Sequence, residues 1–314
     1  MQPFPVTRIA HIQAPESEQR WLVESLWADQ AVGFIGGTPK SGKTWLALEL
    51  AVAIASGHSC LGRYPVHHRG HVLLYAAEDS ACAIKHRVAA IARARDIGDI
   101  SRLAIGLITE DNLRLDNDEH QQRLAITLEQ LQPRMLVLDP LVRLHRTDEN
   151  SAADVSGLLH YLRQLQRQYS VAVVLVHHVR KSAAEQPGQA LRGSGDLHAW
   201  SDSSLYLLRR NGRLSLQAEH RSLPSPAPVA VELATDPDPH IAVLSDADEV
   251  EQPQPDPLID RVISSLLQQP MTRTDLRTAL AVRNERLGEI LAQLEVSGRV
   301  QRHNGLLAVP VPNP

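Results

Sequence analysis

Apolar residues in this chain come in short unbroken runs. Ala31–Ile35, His71–Ala77, Met135–Leu138 and Val171–Val176 are each too short for a globular helix, and Gly, Pro, Asp or His bounds them. Runs of this kind fit strands buried on both faces of a parallel sheet. Leu103–Ile108 is a further, weaker strand. The stretches between them have helical character: Lys43–Ser56, a helix opening on Ser80 as N-cap and running to Arg95, Asp118–Leu131, and Ser151–Tyr169. The last carries Val155, Leu158, Leu159, Leu162 and Leu165 on one face. Strand alternating with helix at this rhythm predicts an α/β fold, a parallel sheet flanked by helices.

Beyond Val176 the pattern changes. Arg180–Asp196 is polar, small and glycine-bearing, and a loop of that length inside a domain is usually functional or mobile. Ser203–Arg209 and Arg213–Ala218 form a hairpin across Asn211-Gly212, and Val229–Ala234 and Ile241–Ser245 add edge strands. At the other end, Glu16–Trp27 has a helical pattern.

An acidic, proline-rich stretch, 246–256, divides the chain into a core over 1–245 and a second unit over 257–314. In the second unit the pattern gives helices over Leu258–Gln268, Thr272–Leu280 and Arg283–Val296, then a hairpin around Asn304-Gly305. Three helices and a hairpin predict a winged helix-turn-helix. With seven Arg against five acids, this unit is mildly basic. Arg283, Asn284 and Arg286, at the start of its third helix, are candidate duplex-DNA readers. Protein docking or dimerisation is the competing role for this unit.

Length and composition change little in this picture. The 314 residues fit about two domains. No apolar run approaches the roughly 18 residues that cross a membrane, and no signal peptide is expected at Met1-Gln2-Pro3. Two cysteines, Cys60 and Cys82, make neither a disulfide framework nor a zinc pair, so a cytoplasmic setting is expected. The net charge of −4 does not announce a nucleic-acid partner, but local contacts can override net charge. His58, Cys60, His67, His68 and His71 cluster among glycines and a proline, which reads as a solvated loop rather than a metal site.

The chemistry concentrates in Gly37-Thr38-Pro39-Lys40-Ser41-Gly42-Lys43-Thr44, between a strand and a helix. This is the G-x-x-x-x-G-K-[ST] phosphate loop in its required context. Backbone N–H groups at the helix start converge on one concavity, where the helix dipole also favours anions. Lys43 would reach the β- and γ-phosphates of ATP and the Thr44 hydroxyl would ligate Mg²⁺. Met135–Leu138 delivers Asp139 to a strand end, where a carboxylate belongs beside the metal. Lys43, Glu78, Asp139 and His178 all fall at carboxyl ends of strands, where open α/β sheets bind ligands. Asp79 offers the same chemistry as Glu78, and His177 could exchange roles with His178.

Residues from about 20 to 235 resemble the RecA-like ATPases related to the plasmid RepA replicative helicases. The resemblance rests on Gly37–Thr44, Ala77-Glu78-Asp79, Leu138-Asp139-Pro140, Asp148-Glu149-Asn150, Val176-His177-His178 with Lys181, and Arg192-Gly193-Ser194. It implies that Glu78 orients and deprotonates the attacking water, that Asp139 holds Mg²⁺ through its water shell, and that His178 senses the γ-phosphate. It places the Arg180–Asp196 loop, with Lys181 and Arg192, against single-stranded DNA in the channel of a hexamer. A trans-acting arginine would complete the neighbour's site. Where those helicases carry it, this chain has Asp202, so Arg221 is the replacement candidate and Arg209 and Arg210 its rivals. The plasmid helicases are not expected to end in a winged helix, so the tail suggests a different task or loading route.

The expectation is therefore a Mg²⁺-dependent, ring-forming ATPase moving on single-stranded DNA, a replicative helicase of a mobile element. The alternative is a DNA-binding regulator that uses nucleotide as a switch and never unwinds. A small-molecule kinase is disfavoured, because no lid with clustered Arg is visible and a strand-end Glu suits water activation better.

Overall fold

The structure is a computed structural model. It describes residues 3–12, 20–145, 152–178, 195–210, 213–236, 238–244, 257–280, 282, 287–288, 290–291, 294, 299–303 and 306–309. The chain divides into two compact units, Met1–Leu244 and Ser245–Pro314.

The first unit is built on a nine-stranded sheet. Its strands are β3 (Val32–Gly37), β4 (Val72–Ala76), β5 (Ile105–Leu107), β6 (Met135–Asp139), β7 (Ala172–His178), β8 (Ser203–Arg210), β9 (Arg213–His220), β10 (Val229–Ala234) and β11 (His240–Val243). The spatial order is β11-β10-β9-β8-β3-β7-β6-β4-β5. From β8 through β5 every pairing is parallel, and from β8 to β11 every pairing is antiparallel. Four helices cover the parallel part: α1 (Lys43–Ser56), α2 (Ala81–Ala94), α3 (Asp118–Leu131) and α4 (Ala152–Tyr169). A short helix, α5 (Gly195–Trp200), leads into β8.

Strand alternation sorts the side chains into two apolar layers. Ile35, Leu74, Val137 and Val174 join α1 and α2 in one, while Phe34, Tyr75, Leu138 and Leu175 join α3 and α4 in the other. Burying one such aliphatic side chain is worth about 1.5–3 kcal/mol, and β6 and β7 are apolar on both faces because both layers press on them. Helix α1 is buried on nearly every side, which is why its sequence is apolar all round rather than striped. Glu49 is the exception inside it. Only 1% exposed, Glu49 accepts from the Leu61 N–H at 2.7 Å and from Arg95 Nε at 2.8 Å, and Arg95 also donates to the Ile241 carbonyl of β11 at 2.9 Å.

The predicted helix over Glu16–Trp27 is corrected. Its described part forms two short antiparallel strands, β1 (Trp21–Val23) and β2 (Trp27–Ala28), with Ser25 in the turn at φ 59°. The period misled because Leu22, Val23, Leu26 and Trp27 are buried from several directions at once, not along one face. The pair is held by tertiary contacts: the Ala28 N–H donates to Ser203 Oγ at 3.1 Å, and Trp21 packs edge-on against His220.

The second unit contains α6 (Pro257–Gln268), α7 (Arg273–Leu280), helical residues at 287–288, 290–291 and 294, and the strand pair β12 (Gln301–His303) with β13 (Leu306–Ala308). Leu287, Ile290, Leu291 and Leu294 are buried with Leu258, Val262, Leu276 and Leu307 in a core of its own.

Candidate nucleotide site

The register brings the carboxyl ends of the central strands to one edge: Gly37 lies opposite His178, and Ala76 opposite Asp139. The phosphate loop leaves β3 at this edge and curls back into α1. Lys40 sits at φ 63° and Gly42 at φ 92°, so the loop makes two left-handed steps before the helix begins. At Gly42 that conformation favours glycine. Gly37 is required for space, since a Cβ there would lie 2.6 Å from Ser41 Oγ and 2.7 Å from the Leu207 carbonyl.

Within this cradle the charged groups are already assembled. The Lys43 ammonium donates to the carbonyls of Gly37 (3.1 Å) and Thr38 (2.9 Å), folded back on its own loop. Burial lowers its pKa, opposed by the charges of Asp139 and Glu78. Thr44 Oγ1 donates to Asp139 at 2.7 Å, across 95 residues of sequence. Burial pushes the Asp139 carboxyl up to about 6; the Thr44 hydrogen bond and Lys43 pull it down, while Asp79 and Glu78 add repulsion. Ser41 Oγ is buried with no hydrogen-bond partner. Half-buried carboxylate, adjacent hydroxyl, lysine and orphaned polar atom together suit a divalent cation carrying a polyphosphate.

Two neighbouring acids follow β4. Asp79 is gripped at both oxygens by Arg87, at 2.6 and 2.9 Å. Glu78 accepts through Oε1 alone, from Arg143 Nε at 2.9 Å. With both its oxygens engaged, Asp79 is the poorer proton acceptor, and Glu78 is favoured for activating water. The sequence reading overlooked both arginines. Arg87 could have been found eight residues after Asp79 on the α2 face; Arg143 carries no such signal.

The other predicted residues are distributed as follows. His178 stands beside Gly37 in the backbone register, while the His177 ring packs edge-on toward Phe34, with centroids 6.3 Å apart. Arg221 follows His220, which pairs with Ser203, which in turn pairs with Gly33. It therefore lies at the sheet edge opposite its own phosphate loop, ion-paired to Asp202 at 3.2 Å; Arg163 grips the same carboxylate. Arg209 and Arg210 lie at the far end of β8, past Leu207, which pairs with Gly37. Lys181, Arg192, Arg283 and Arg286 lie outside the described residues, as do Asp148-Glu149-Asn150 and residues 246–256. Among the described residues no cluster of His, Cys, Asp or Glu could hold a metal by itself; His67 of the histidine-rich loop pairs with Glu24 at 3.0 Å. No described helix is long and apolar enough to cross a membrane.

Comparison with known proteins agrees with this geometry. The AAA domain family model matches residues 2–184. Among solved structures, a DnaB-like replicative helicase, described with its interactions with primase, superposes with a TM-score of 0.51 at 17% identity. The match covers 66% of this chain and 56% of that one, so this chain spans little more than half the helicase's length. The RadB recombinase matches at a TM-score of 0.48 and 18% identity, over 69% of this chain and 92% of its own. With more than half of its length matched by the family model, the chain belongs to the AAA domain family, as a P-loop ATPase with the RecA-like fold found in replicative helicases.

Proposed function

We propose that this protein is a Mg²⁺-dependent ATP hydrolase that works as a ring, a hexamer by family resemblance, on single-stranded DNA, as a replicative helicase of a plasmid or other mobile element. The observation that carries the nucleotide part is the 2.7 Å contact of Thr44 with Asp139 at the mouth of the phosphate loop, a hydroxyl and a carboxylate of the kind that would hold a metal. Thr44 would ligate Mg²⁺ and Asp139 would hold it through water; when bound, the ion neutralises charge on the β- and γ-phosphate oxygens. Loop N–H groups from Lys40 to Thr44 cradle the phosphates, and Lys43 exchanges its two carbonyl contacts for phosphate oxygens. Glu78 takes a proton from water as the water oxygen bonds to the γ-phosphorus. The bond from that phosphorus to the bridging oxygen breaks, and ADP leaves with the electron pair. His178 reports the γ-phosphate to the segment that follows β7, where Lys181 and Arg192 contact DNA.

The trans-acting cation comes from a neighbouring copy. Arg221 is the first candidate and Arg209 and Arg210 the next. Winged-helix recognition of duplex DNA by 257–314, through Arg283 and Arg286, is the matching proposal for the second unit. Its support is the separate buried core formed by α6, α7 and the β12–β13 pair.

The test is ATP turnover with and without single-stranded DNA, run beside a strand-displacement assay. Stimulated turnover with displacement is expected. Turnover indifferent to single strands, with no displacement, overturns the motor reading in favour of a nucleotide-switched DNA binder.

A further inference from the structure

Phosphate and metal binding leave the contact of Arg143 with Glu78 without a role. Arg143 ends a single 3-10 turn, Leu141–Arg143, that begins two residues after Asp139. One short segment thus bears the metal-side carboxylate at its start and, at its end, the guanidinium that holds Glu78 Oε1. The backbone of that segment is pinned. Leu141 and Leu144 are buried at 1% and 0% exposure, and Arg114 donates to the carbonyls of Arg143 at 2.5 Å and His145 at 3.3 Å. The side chains of the ion pair are nevertheless about half exposed, at 59% for Arg143 and 48% for Glu78. An ion pair this exposed contributes little to stability, so its value lies in where it puts the carboxylate.

Glu78 and Asp139 carry like charge at close range, and the nearby Lys43 ammonium is folded back on the carbonyls of Gly37 and Thr38, so Arg143 is the cation bonded to Glu78 directly. We propose that Arg143 is the positioning residue for Glu78, holding one carboxylate oxygen so that the other is presented to the attacking water. Arg87 cannot substitute, because it is spent on both oxygens of Asp79. The inference rests on Glu78 being the water-activating base, and it makes the loop after β6 a joint support for metal ligand and base. A general base displaced by about 1 Å can lose about 100-fold in rate.

Steady-state ATP hydrolysis by the full chain tests this with Arg143→Ala, Arg143→Lys, Glu78→Gln and the Glu78→Gln/Arg143→Ala double variant. Arg143→Ala should lower kcat by about 10- to 100-fold while the KM for ATP and the thermal midpoint stay near wild type. Arg143→Lys should recover part of the loss. In the Glu78→Gln background, Arg143→Ala should cost almost nothing more, since it acts through a base already removed. Unchanged turnover in Arg143→Ala, a raised KM with kcat intact, or full multiplication of the two defects overturns the proposal. If Glu78→Gln alone turns over normally, the base assignment itself has failed, which the single variant reveals separately.

Discussion

Replacing Asp139 with Asn should make the nucleotide-free protein more stable and useless. Burial raises the Asp139 pKa from the ordinary 3.8 to about 6. The folded state therefore binds a proton more tightly than the unfolded chain does. Stability from this group is full below pH 3.8 and is lost as pH rises through about 6. At about 1.4 kcal/mol per unit, a rise of two units means that the ionised carboxylate costs the apo fold about 3 kcal/mol at neutral pH. Asn carries no charge, and its Oδ1 can still accept from the Thr44 hydroxyl. Asp139→Asn should thus gain about 1–3 kcal/mol at pH 7.5 and lose the pH dependence between 4 and 6.

Urea unfolding followed by tryptophan fluorescence measures this cleanly, because Trp21, Trp27, Trp45 and Trp200 all lie in the first unit. Adding Mg²⁺ and ATP at 100 times Kd should stabilise wild type by about 2.7 kcal/mol and the variant far less. A nucleotide-free variant less stable than wild type, or one with the wild-type pH profile, refutes the reasoning.

Other outcomes follow from the same geometry. Lys43→Ala should lower turnover by about 10²–10³-fold; single-turnover hydrolysis checks it, and a loss of only a few-fold removes Lys43 from the reaction. Glu78→Gln should retain affinity for a fluorescent ATP analogue while hydrolysing poorly, and loss of binding would make its role structural. Gly42→Ala puts a Cβ at φ 92° and 3.1 Å from Leu233, so nucleotide affinity should fall; unchanged affinity would mean the loop relaxes freely. Arg221→Ala mixed with Lys43→Ala should regain activity above the sum of the two, since each damages a different side of an interface; strict additivity passes the trans role to Arg209 or Arg210.

The nucleotide edge was legible because its residues obey local rules. A loop of fixed spacing needs a strand before it and a helix after it, and an apolar run ending in Asp delivers one carboxylate. Those rules located Lys43, Thr44 and Asp139, and the fold then placed Thr44 and Asp139 in contact. Arg143 was invisible because its pairing depends on the course of a single turn after β6, which no periodicity encodes. The β1–β2 pair was misread for a related reason. The five apolar side chains within Trp21–Trp27 are also what a short hairpin needs when β8, β9 and the loop near Val66 press on it. The resemblance already put Glu78 before Asp79, and the Arg87 contact that sets the two acids apart was not legible beside it.

The buried Glu49–Arg95 bridge reaches further than its place in α1 suggests. Arg95 fastens the helix that begins at Lys43 to the carbonyl of Ile241, and β11 ends at Val243, one residue before the first unit does. The last strand of the sheet is therefore bolted to the same helix that carries the phosphate loop. A shift of α1 as its loop closes on nucleotide would drag β11 along with it, so the far edge of the sheet would answer to the nucleotide state. Glu49→Ala, which removes the acceptor that Gln would keep, would weaken that coupling.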